Sequence, residues 1–452
     1  MCMSFSSPVW VAFRCMEKRV LPRHCQVSLG IVCLLVLLAV TLGGCLDAKS
    51  VDTPDPLGRS VIRFEDFEYL GAFAPPKEAI PNPSGGKWST GFASGGLAMR
   101  RVGSQKRFFA TTHVYSGGLV YEMSFPGLSK TAPYPQATVL REWGDIYAGR
   151  KVTHEGNNLG GGTLTHALYW DAKLGRLYWS YGHWYNVVQA NNPVLGYTTF
   201  SETQATARGP WKSAAGSAHS QRIRGGVLRI PDWFAERYTG GKTLGVGFGG
   251  YWSGVANASQ GPALYATDHP SQEGLDLQTR TLLSFSDGNG CGTITRENVR
   301  RCKAVRNPDY YRSSQGAVGW DTDPIDGQGY WTAADTIEGA AVWIDTPKRH
   351  GLIFFPTLGQ GAICYCAGAI TAERYSSWWY IYNPADLAKV AQGTLQPSLE
   401  PLAMTPVRYP AGVRVTGAVF DDQEQILYLY VYKAYKDGVE EYPLVYAYQL
   451  KP

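Results

Sequence analysis

The stretch Tyr169-Trp170-Asp171-Ala172-Lys173-Leu174-Gly175-Arg176-Leu177-Tyr178-Trp179 decides the predicted fold. An aromatic pair precedes an aspartate, a short segment with a glycine follows, and an aliphatic and aromatic run then resumes. Aspartate favours the first position of a turn, so the stretch predicts a strand, a turn and a second strand. The same order recurs at 343–354 and at 419–429, and a looser copy without the aspartate lies at 100–109.

A second recurring unit is a strand that ends at a proline. It lies at 120–126, 227–231 and 380–384, and the last two copies continue into short helical patterns. Inner hairpins that alternate with outer strands over roughly 40 to 60 residues are typical of propeller blades. The predicted class is therefore an all-β protein with a β-propeller fold. A large β-sandwich or two β-domains are the other interpretations, and the even spacing of the repeats favours the propeller.

The length of the chain sets the predicted number of blades. About 390 residues follow the leader, which predicts seven blades of roughly 55 residues, with six as the alternative. We expect the final strand, 444–450, to close the ring by pairing with an N-terminal strand at 67–73. Closure of this kind removes the exposed edges of a sheet.

Composition is typical of a globular protein. Charged residues make up 17% of the 452-residue chain and hydrophobic residues 44%, which excludes disorder for most of it. The chain has 52 glycines, 28 tyrosines and 14 tryptophans, a mixture that suits many short strands joined by tight turns. The formal net charge is +5, with no block of lysine and arginine of the kind that binds nucleic acid. We expect a monomer with no nucleic-acid partner.

The N-terminal segment has the order of a bacterial secretion signal. A basic leader precedes the apolar run 29–42, which ends at Gly43-Gly44-Cys45 and resembles a lipobox, where the signal is cut before an acylated cysteine. An uncleaved anchor helix is the alternative, but the run is shorter than the roughly 20 residues of a membrane span. We predict a signal peptide at 1–44, lipidated Cys45 with a flexible tether at 45–63, and one propeller domain at 64–452. The protein is then expected in the bacterial envelope, as an outer-membrane or surface lipoprotein.

Four cysteines of the mature chain lie beyond the tether. Cys291 and Cys302 bracket a glycine-containing loop, and a disulfide would bridge it. Cys364 and Cys366 alternate in a predicted strand, so their side chains point to the same side. Two thiolates on one side suit tetrahedral zinc better than a vicinal disulfide.

Two histidines complete the predicted metal site. His350 lies in the strand that leads to the cysteine pair, and a hairpin would bring the three residues together. A closed zinc site needs four ligands, and His269 is the predicted fourth. The predicted cofactor is therefore one structural zinc ion.

The segment Phe67-Glu68-Tyr69-Leu70-Gly71-Ala72-Phe73 resembles the opening of a set of secreted bacterial β-propellers that begin with "YLGAF". The resemblance continues at 162–185 and 261–265. It implies a relation to the seven-bladed propeller ulvan lyases. Those enzymes cleave uronic-acid polysaccharides by β-elimination with histidine, tyrosine and arginine, and they carry a structural zinc.

β-Elimination beside a uronate carboxylate requires a positive charge on that carboxylate, a base and an acid. His166 and His183 are the predicted base and acid, because the two strands around the Asp171 turn would hold them at one end of a blade. Trp184 and Tyr185 suit sugar stacking beside them. Tyr251, in a glycine-rich turn, is the predicted third catalytic side chain.

Arginine and a further histidine complete the predicted site. Arg222 and Arg224 alternate with an isoleucine before a strand, so one of them should point inward. A guanidinium matches a carboxylate in shape, so either arginine could neutralise the uronate. Arg224 is predicted as the catalytic residue and Arg222 as a substrate-binding residue. His113 follows a strand at a similar blade position and is predicted to line the same face.

Two other functions are compatible with the sequence. One is a non-catalytic lipoprotein that binds glycan or protein on the propeller face. The other is a glycoside hydrolase, which needs two carboxylates about 5 to 10 Å apart. Glu155, Asp335 and Glu338 are the candidate acids for that reaction.

Overall fold

Short antiparallel sheets make up most of the computed structural model, which describes residues 55–113, 116–151, 164–182, 191–248, 259, 261–285, 311–314, 317–320, 339–366 and 369–452. The N-terminal part contains two 3₁₀ turns, at Pro56–Gly58 and Phe64–Asp66. Its strands are β1 (Ser60–Val61), β2 (Phe67–Phe73), β3 (Glu78–Pro81) and β4 (Lys87–Ser89).

Three four-stranded sheets follow in chain order. Blade 1 contains β5 (Ala98–Val102), β6 (Gln105–Thr111), β7 (Val120–Ser124) and β8 (Val139–Gly144). Blade 2 contains β9 (Leu164–Asp171), β10 (Arg176–Gly182), β11 (Leu195–Phe200) and β12 (Ala205–Trp211). The short helix α1 (Ser220–Ile223) leads into blade 3, which contains β13 (Gly226–Arg229), β14 (Leu244–Gly247), β15 (Leu264–Thr267) and β16 (Thr279–Leu283). Helix α2 (Asp232–Phe234) and a π-helical turn (Ala235–Thr239) lie between β13 and β14.

The remaining sheets are built from the C-terminal third. Strands β17 (Tyr311–Ser314) and β18 (Ala317–Trp320) form a hairpin. Blade 4 contains β19 (Ala341–Asp345), β20 (Arg349–Phe354), β22 (Ala369–Tyr382) and β23 (Ala403–Val407), and β21 (Thr357–Cys366) forms a long hairpin with β22. Helix α3 (Pro384–Ala391) connects β22 with β23. Blade 5 contains β24 (Arg414–Asp421), β25 (Ile426–Asp437) and β26 (Glu440–Leu450).

The fourth strand of blade 5 comes from the N-terminal part. Strand β2 pairs antiparallel with β26, and Phe67 lies opposite Leu450 while Phe73 lies opposite Val445. The predicted ring closure is confirmed at the predicted strands. This pairing joins the two ends of the folded domain in one sheet, with β2 as the outer strand of blade 5.

The described residues form five blades, and the predicted counts of seven and six are not confirmed. Their inner strands β5, β9, β13, β19 and β24 pack side by side around one axis, and β24 contacts β5 to complete the ring. The length of the chain is a poor guide to its number of blades, because some residues lie outside the four-stranded sheets. The hairpin of β21 with β22 alone extends well past the pairing of β22 with β20.

Five hydrophobic clusters hold the propeller together, one at each interface between neighbouring blades. The cluster between blades 4 and 5 is centred on Trp379, which is fully buried. Phe64, Phe67 and Phe355 each meet its indole edge to face at 5.1 Å between ring centroids. Aromatic side chains fill the wedge between twisted sheets, which accounts for the abundance of tyrosine and tryptophan.

The folded domain begins earlier than the sequence predicted. Pro56 and Ile62 are buried, and β1 pairs in parallel with β20 through Val61 and His350. Arg59 also forms an ion pair with Asp345, at 2.7 Å. Residues 56–63 are therefore part of the propeller unit Pro56–Pro452 rather than of the tether.

The signal peptide and Cys45 lie outside the described residues. Among the helices that the structure does describe, none is long and apolar enough to cross a membrane.

The inner strands run in the same direction, so the propeller has two different ends. Strands β9, β19 and β24 finish at Asp171, Asp345 and Asp421, and we call this end the carboxylate end. At the opposite end of the propeller the chain crosses from each blade to the next, and we call this end the loop end.

Candidate functional sites at the two ends of the propeller

An axial channel of about 650 Å³ runs between the inner strands of all five blades. Tryptophan and charged side chains line it towards the carboxylate end, among them Trp170, Arg229, Trp233, Asp345 and Asp422. A polar cavity with flat aromatic walls suits a sugar, because sugars combine hydroxyl groups with an apolar face.

Two aspartates of this channel have raised pKa values. Burial raises the pKa of Asp345, although its carboxylate accepts hydrogen bonds from Trp233 Nε1 at 3.0 Å and Arg59 Nη1 at 2.7 Å. Burial also raises the pKa of Asp422. The negative charges of Asp421 and Asp345 raise this pKa further, whereas the positive charge of Arg229 lowers it. Carboxyl groups that keep their protons longer than usual are candidates for general acids.

Asp171 and Asp421, which end β9 and β24, stabilise the turns that follow these strands. Asp171 Oδ1 accepts the backbone N–H of Leu174 at 3.0 Å, and Asp421 Oδ1 accepts that of Gln423 at 3.1 Å. Asp421 also pairs with Arg101 at 2.5 Å. The expectation that aspartate starts the turn of each repeated hairpin is confirmed at both positions.

The predicted zinc ligands do not come together. His350 is fully buried and stacks on Trp233, while His269 binds the Tyr178 hydroxyl at 2.7 Å and the Thr243 hydroxyl at 2.9 Å. Both histidines belong to ordinary packing at the carboxylate end. Burial lowers the pKa of each of them.

The cysteine pair lies far from His350 along the sheet. Leu352, two residues after His350, pairs with Tyr382, whereas Cys364 pairs with Thr371 and Cys366 with Ala369. Tyr382 and Thr371 are 11 residues apart in β22, roughly 36 Å along an extended strand. The backbone of the hairpin therefore runs away from His350 instead of folding back towards it. Within the described ranges, no group of three metal-binding side chains was found.

Two of the four predicted catalytic residues fall outside the described part of the chain. His183, Trp184, Tyr185 and Tyr251 lie outside the described residues, and so do the alternative acids Glu155, Asp335 and Glu338. His166 lies in β9 at a bulge, where the pairing with β10 shifts register between Ser180 and Tyr181.

The strand ends next to these residues share one end of the propeller. Strand β9 starts at Leu164, β10 ends at Gly182 and β14 ends at Gly247, all at the loop end. In the sequence, His183 directly follows the end of β10, and Tyr251 follows the end of β14 by four residues.

Arg222 lies in α1 and Arg224 directly follows it, so the segment before β13 is helical rather than extended. Arg222 Nη1 donates hydrogen bonds to Ser284 Oγ at 2.5 Å and to the Phe285 carbonyl at 3.0 Å. Arg224 is fully buried. Side chains alternate between two sides only in an extended segment, so the argument that only one of the two points inward does not apply to this helical turn.

His113 lies at the loop end of blade 1, where it is half-buried. Its ring meets Phe92 edge to face at 5.5 Å between centroids. Burial lowers the pKa of this imidazole, and the charge of Glu440 partly opposes the shift. The ring is therefore neutral at pH 7 and able to accept a proton.

Lys151, which was not among the predicted site residues, also lies at the loop end. Its Nζ donates to the Gly117 carbonyl at 3.0 Å and sits 3.6 Å from the ring centroid of Tyr147. Burial lowers the pKa of this amine to about 7, although the charge of Asp145 acts in the opposite direction. No sequence motif pointed to Lys151, because its side chain contacts Gly117 in a loop that is distant in the sequence.

No protein-family model matches the chain, and no curated protein matches it. Among solved structures, an α-L-arabinanase variant of Cellvibrio cellulosa is 11% identical over 79% of this chain and 92% of that one, with a TM-score of 0.38. An exo-1,5-α-L-arabinanase from a bovine ruminal metagenomic library is 12% identical over 79% and 93%, with a TM-score of 0.36. A luciferin-regenerating enzyme is 10% identical over 85% and 94%, with a TM-score of 0.32. Similarities this low assign no function to this chain.

Proposed function

We propose that this protein is an exported, lipid-anchored β-propeller that cleaves an acidic polysaccharide by β-elimination at its loop end. The observation that carries the proposal is the shared position of the strand ends at Leu164, Gly182 and Gly247. These ends lead to the predicted acid, base and tyrosine. A closed propeller provides a rigid frame on which loops from several blades meet.

The chemistry needs only groups that this chain has. His166 or His183 would take the C5 proton of a uronate residue, and the C4–O bond would break as a C4=C5 double bond forms. Either the other histidine or Tyr251 would donate one proton to the leaving oxygen. His113, whose pKa is lowered by burial, is a neutral imidazole at the same end and suits hydrogen bonding to a sugar. The developing negative charge needs a cation near the uronate carboxylate.

The test is incubation of the purified protein with a panel of uronic-acid polysaccharides, followed by ultraviolet absorbance of the unsaturated product. We expect absorbance to rise with at least one acidic polymer. The same polymer with its carboxyl groups reduced to alcohols is the matched control and should give no signal. Absence of unsaturated product with every acidic polymer would refute β-elimination.

Glycoside hydrolysis in the axial channel is the second candidate. The raised pKa values of Asp345 and Asp422, beside Trp170 and Trp233, favour it. Hydrolysis creates reducing ends without an unsaturated product, so the two assays on one reaction mixture separate the two mechanisms. Binding of a polymer without either product would instead favour the non-catalytic lipoprotein.

The remaining expectations stay predictions: a monomer, anchored to the envelope membrane through lipid on Cys45, without a nucleic-acid partner. A zinc ion bound by Cys364 and Cys366 would need ligands other than His350. Elemental analysis of the purified protein tests that possibility.

A further inference from the structure

The axial channel is large enough to hold a small ligand. Its volume of about 650 Å³ falls within the range of roughly 300 to 1,000 Å³ that is typical of small-molecule sites. Trp170 and Trp233 contribute to its wall, and both side chains are only partly buried. A wall of this kind suits the apolar face of a sugar ring.

Among the described residues, four positively charged side chains line the channel, and each forms an ion pair with a carboxylate of the protein. The pairs, with their N–O distances, are Arg100–Glu122 at 2.7 Å, Arg101–Asp421 at 2.5 Å, Arg229–Asp232 at 2.8 Å and Lys173–Asp232 at 3.8 Å. An anionic ligand would therefore have to compete with carboxylates of the protein for these cations.

Five aspartates also line the described part of the channel, and four of them have partners. The partners are the Leu174 N–H for Asp171, Arg229 for Asp232, Arg59 and Trp233 for Asp345, and Arg101 for Asp421. Asp422 is the fifth, and its carboxylate forms no hydrogen bond or ion pair with a described residue. Water reaches this side chain at the mouth of the channel, although the protein around it is close enough to raise its pKa.

The turn that carries Asp422 is held in place by hydrogen bonds. Asp421 Oδ1 accepts the backbone N–H of Gln423 at 3.1 Å, and Gln425 Nε2 donates to the carbonyl of Asp422 at 2.6 Å. Gln449 of the neighbouring strand β26 donates to the carbonyl of Gln425 at 3.0 Å. The backbone of Asp422 is therefore fixed before any ligand binds, which reduces the conformational entropy that binding costs.

We propose that the carboxylate end of the axial channel binds an amino sugar, whose ammonium group pairs with Asp422. A carboxylate that is partly withdrawn from water is stabilised by an opposite charge within about 4 to 6 Å. The negative charges of Asp421 and Asp345 strengthen the preference for a cation at this point, whereas Arg229 weakens it. One free carboxylate suits an ammonium group better than a calcium ion, which takes about six to eight oxygen ligands. The site lies at the opposite end of the propeller from the proposed lyase site and is independent of β-elimination.

The test is calorimetric titration of the purified protein with a glucosamine trisaccharide. The same trisaccharide with its amines acetylated is the matched control, because it keeps the sugar rings and loses the charge. We expect the free amine to bind at least tenfold more tightly than the acetylated form, since hydrogen bonds to charged groups are the stronger ones. Added salt should weaken the binding of the free amine, because salt screens an ion pair near the surface.

Substitutions at position 422 test the counter-ion. Asp422→Asn should reduce the affinity for the glucosamine trisaccharide to that for the acetylated form, whereas Asp422→Glu should retain most of it. Asp386→Asn is the control variant, because it removes an exposed carboxylate that is paired with Lys389 on α3, and it should change neither affinity. If Asp422→Asn fails to fold, Asp422→Ser is measured in its place.

Four results would overturn the proposal. Equal binding of the free and the acetylated trisaccharide would exclude recognition of the ammonium group, and unchanged binding in Asp422→Asn would exclude Asp422 as its partner. A simple diamine that binds as tightly as the trisaccharide would exclude recognition of the sugar. Absence of binding to the glucosamine trisaccharide would overturn the site as a whole. The assay for unsaturated product uses acidic polymers and tests β-elimination separately, so each proposal can fail without the other.

Discussion

The imidazole of His350 lies over the indole of Trp233, with the ring centroids 6.3 Å apart and the planes inclined by 24°. His350 is fully buried between β1 and β19, and neither ring nitrogen has a hydrogen-bond partner among the described residues. Burial and the nearby charge of Arg59 lower the pKa of this histidine to about 4. A histidine held in this way stabilises the fold only while it is neutral.

This placement predicts a specific loss of stability in mild acid. The unfolded chain binds a proton at His350 near pH 6.5, whereas the folded protein binds it only near pH 4. Stability is therefore lost as pH falls through this window, by roughly 3 kcal/mol in total. We expect His350→Phe, which keeps an aromatic ring without the charge, to flatten this part of the pH profile in urea unfolding. A variant whose profile runs parallel to that of the wild type between pH 7 and pH 4 would contradict the assignment.

Arg100 and Glu122 form a buried ion pair across blade 1. Glu122 is fully buried and accepts two hydrogen bonds from the Arg100 guanidinium, at 2.8 and 2.7 Å. Arg100→Met should cost about 3 kcal/mol or more, because it leaves the carboxylate buried without its main partner. Adding Glu122→Gln should recover part of the loss, since the uncompensated charge is then removed. Chemical denaturation of the two variants measures both effects, and equal stability of the single and double variants would refute this account.

Gly71 cannot accept a side chain without a backbone shift. Its φ is +135°, and a Cβ there would lie 2.7 Å from the Ser129 carbonyl oxygen. The close approach is held by Ala72, which exchanges backbone hydrogen bonds with Ser129 at 2.8 and 3.0 Å. Gly71→Ala should destabilise the protein by about 1 to 3 kcal/mol. Gly58→Ala, where no atom lies within 4 Å, is the matched control and should leave the melting temperature unchanged.

Substitutions at the two ends of the propeller separate the two catalytic proposals. If β-elimination takes place at the loop end, His183→Ala should lose about 10²- to 10⁴-fold in turnover, because proton transfer is removed. Asp422→Asn at the carboxylate end should then retain activity. The opposite pattern, measured by reducing ends released, would assign the reaction to the axial channel.

Membrane anchoring depends on Cys45. Cys45→Ser should remain unprocessed or move from the detergent-requiring membrane fraction to the soluble fraction, because acylation needs the thiol. Fractionation and the mass of the mature protein measure both. A Cys45→Ser protein with the same processing and the same need for detergent would exclude the lipoprotein assignment.

Local features of the fold were readable from the sequence. The hairpins around Asp171 and Asp421 could be predicted because each aspartate accepts a hydrogen bond from a backbone N–H group two or three residues later. Such a contact depends only on the local sequence. The pairing of β2 with β26 was also predicted, because a propeller must join its first and last strands to protect their edges.

The number of blades and the candidate sites needed the tertiary structure. Five blades close the ring because of the twist of each sheet and the packing between neighbours, and neither leaves a pattern along the chain. The same holds for single residues. His350 was expected to bind metal but is buried against Trp233, and Lys151 became notable only through its contact with Gly117. Turn and strand preferences act over a few residues, so the sequence by itself determined the strands and their hairpins. Burial and charge depend on residues far away in the chain, so the environment of each functional side chain was decided only when the blades packed together.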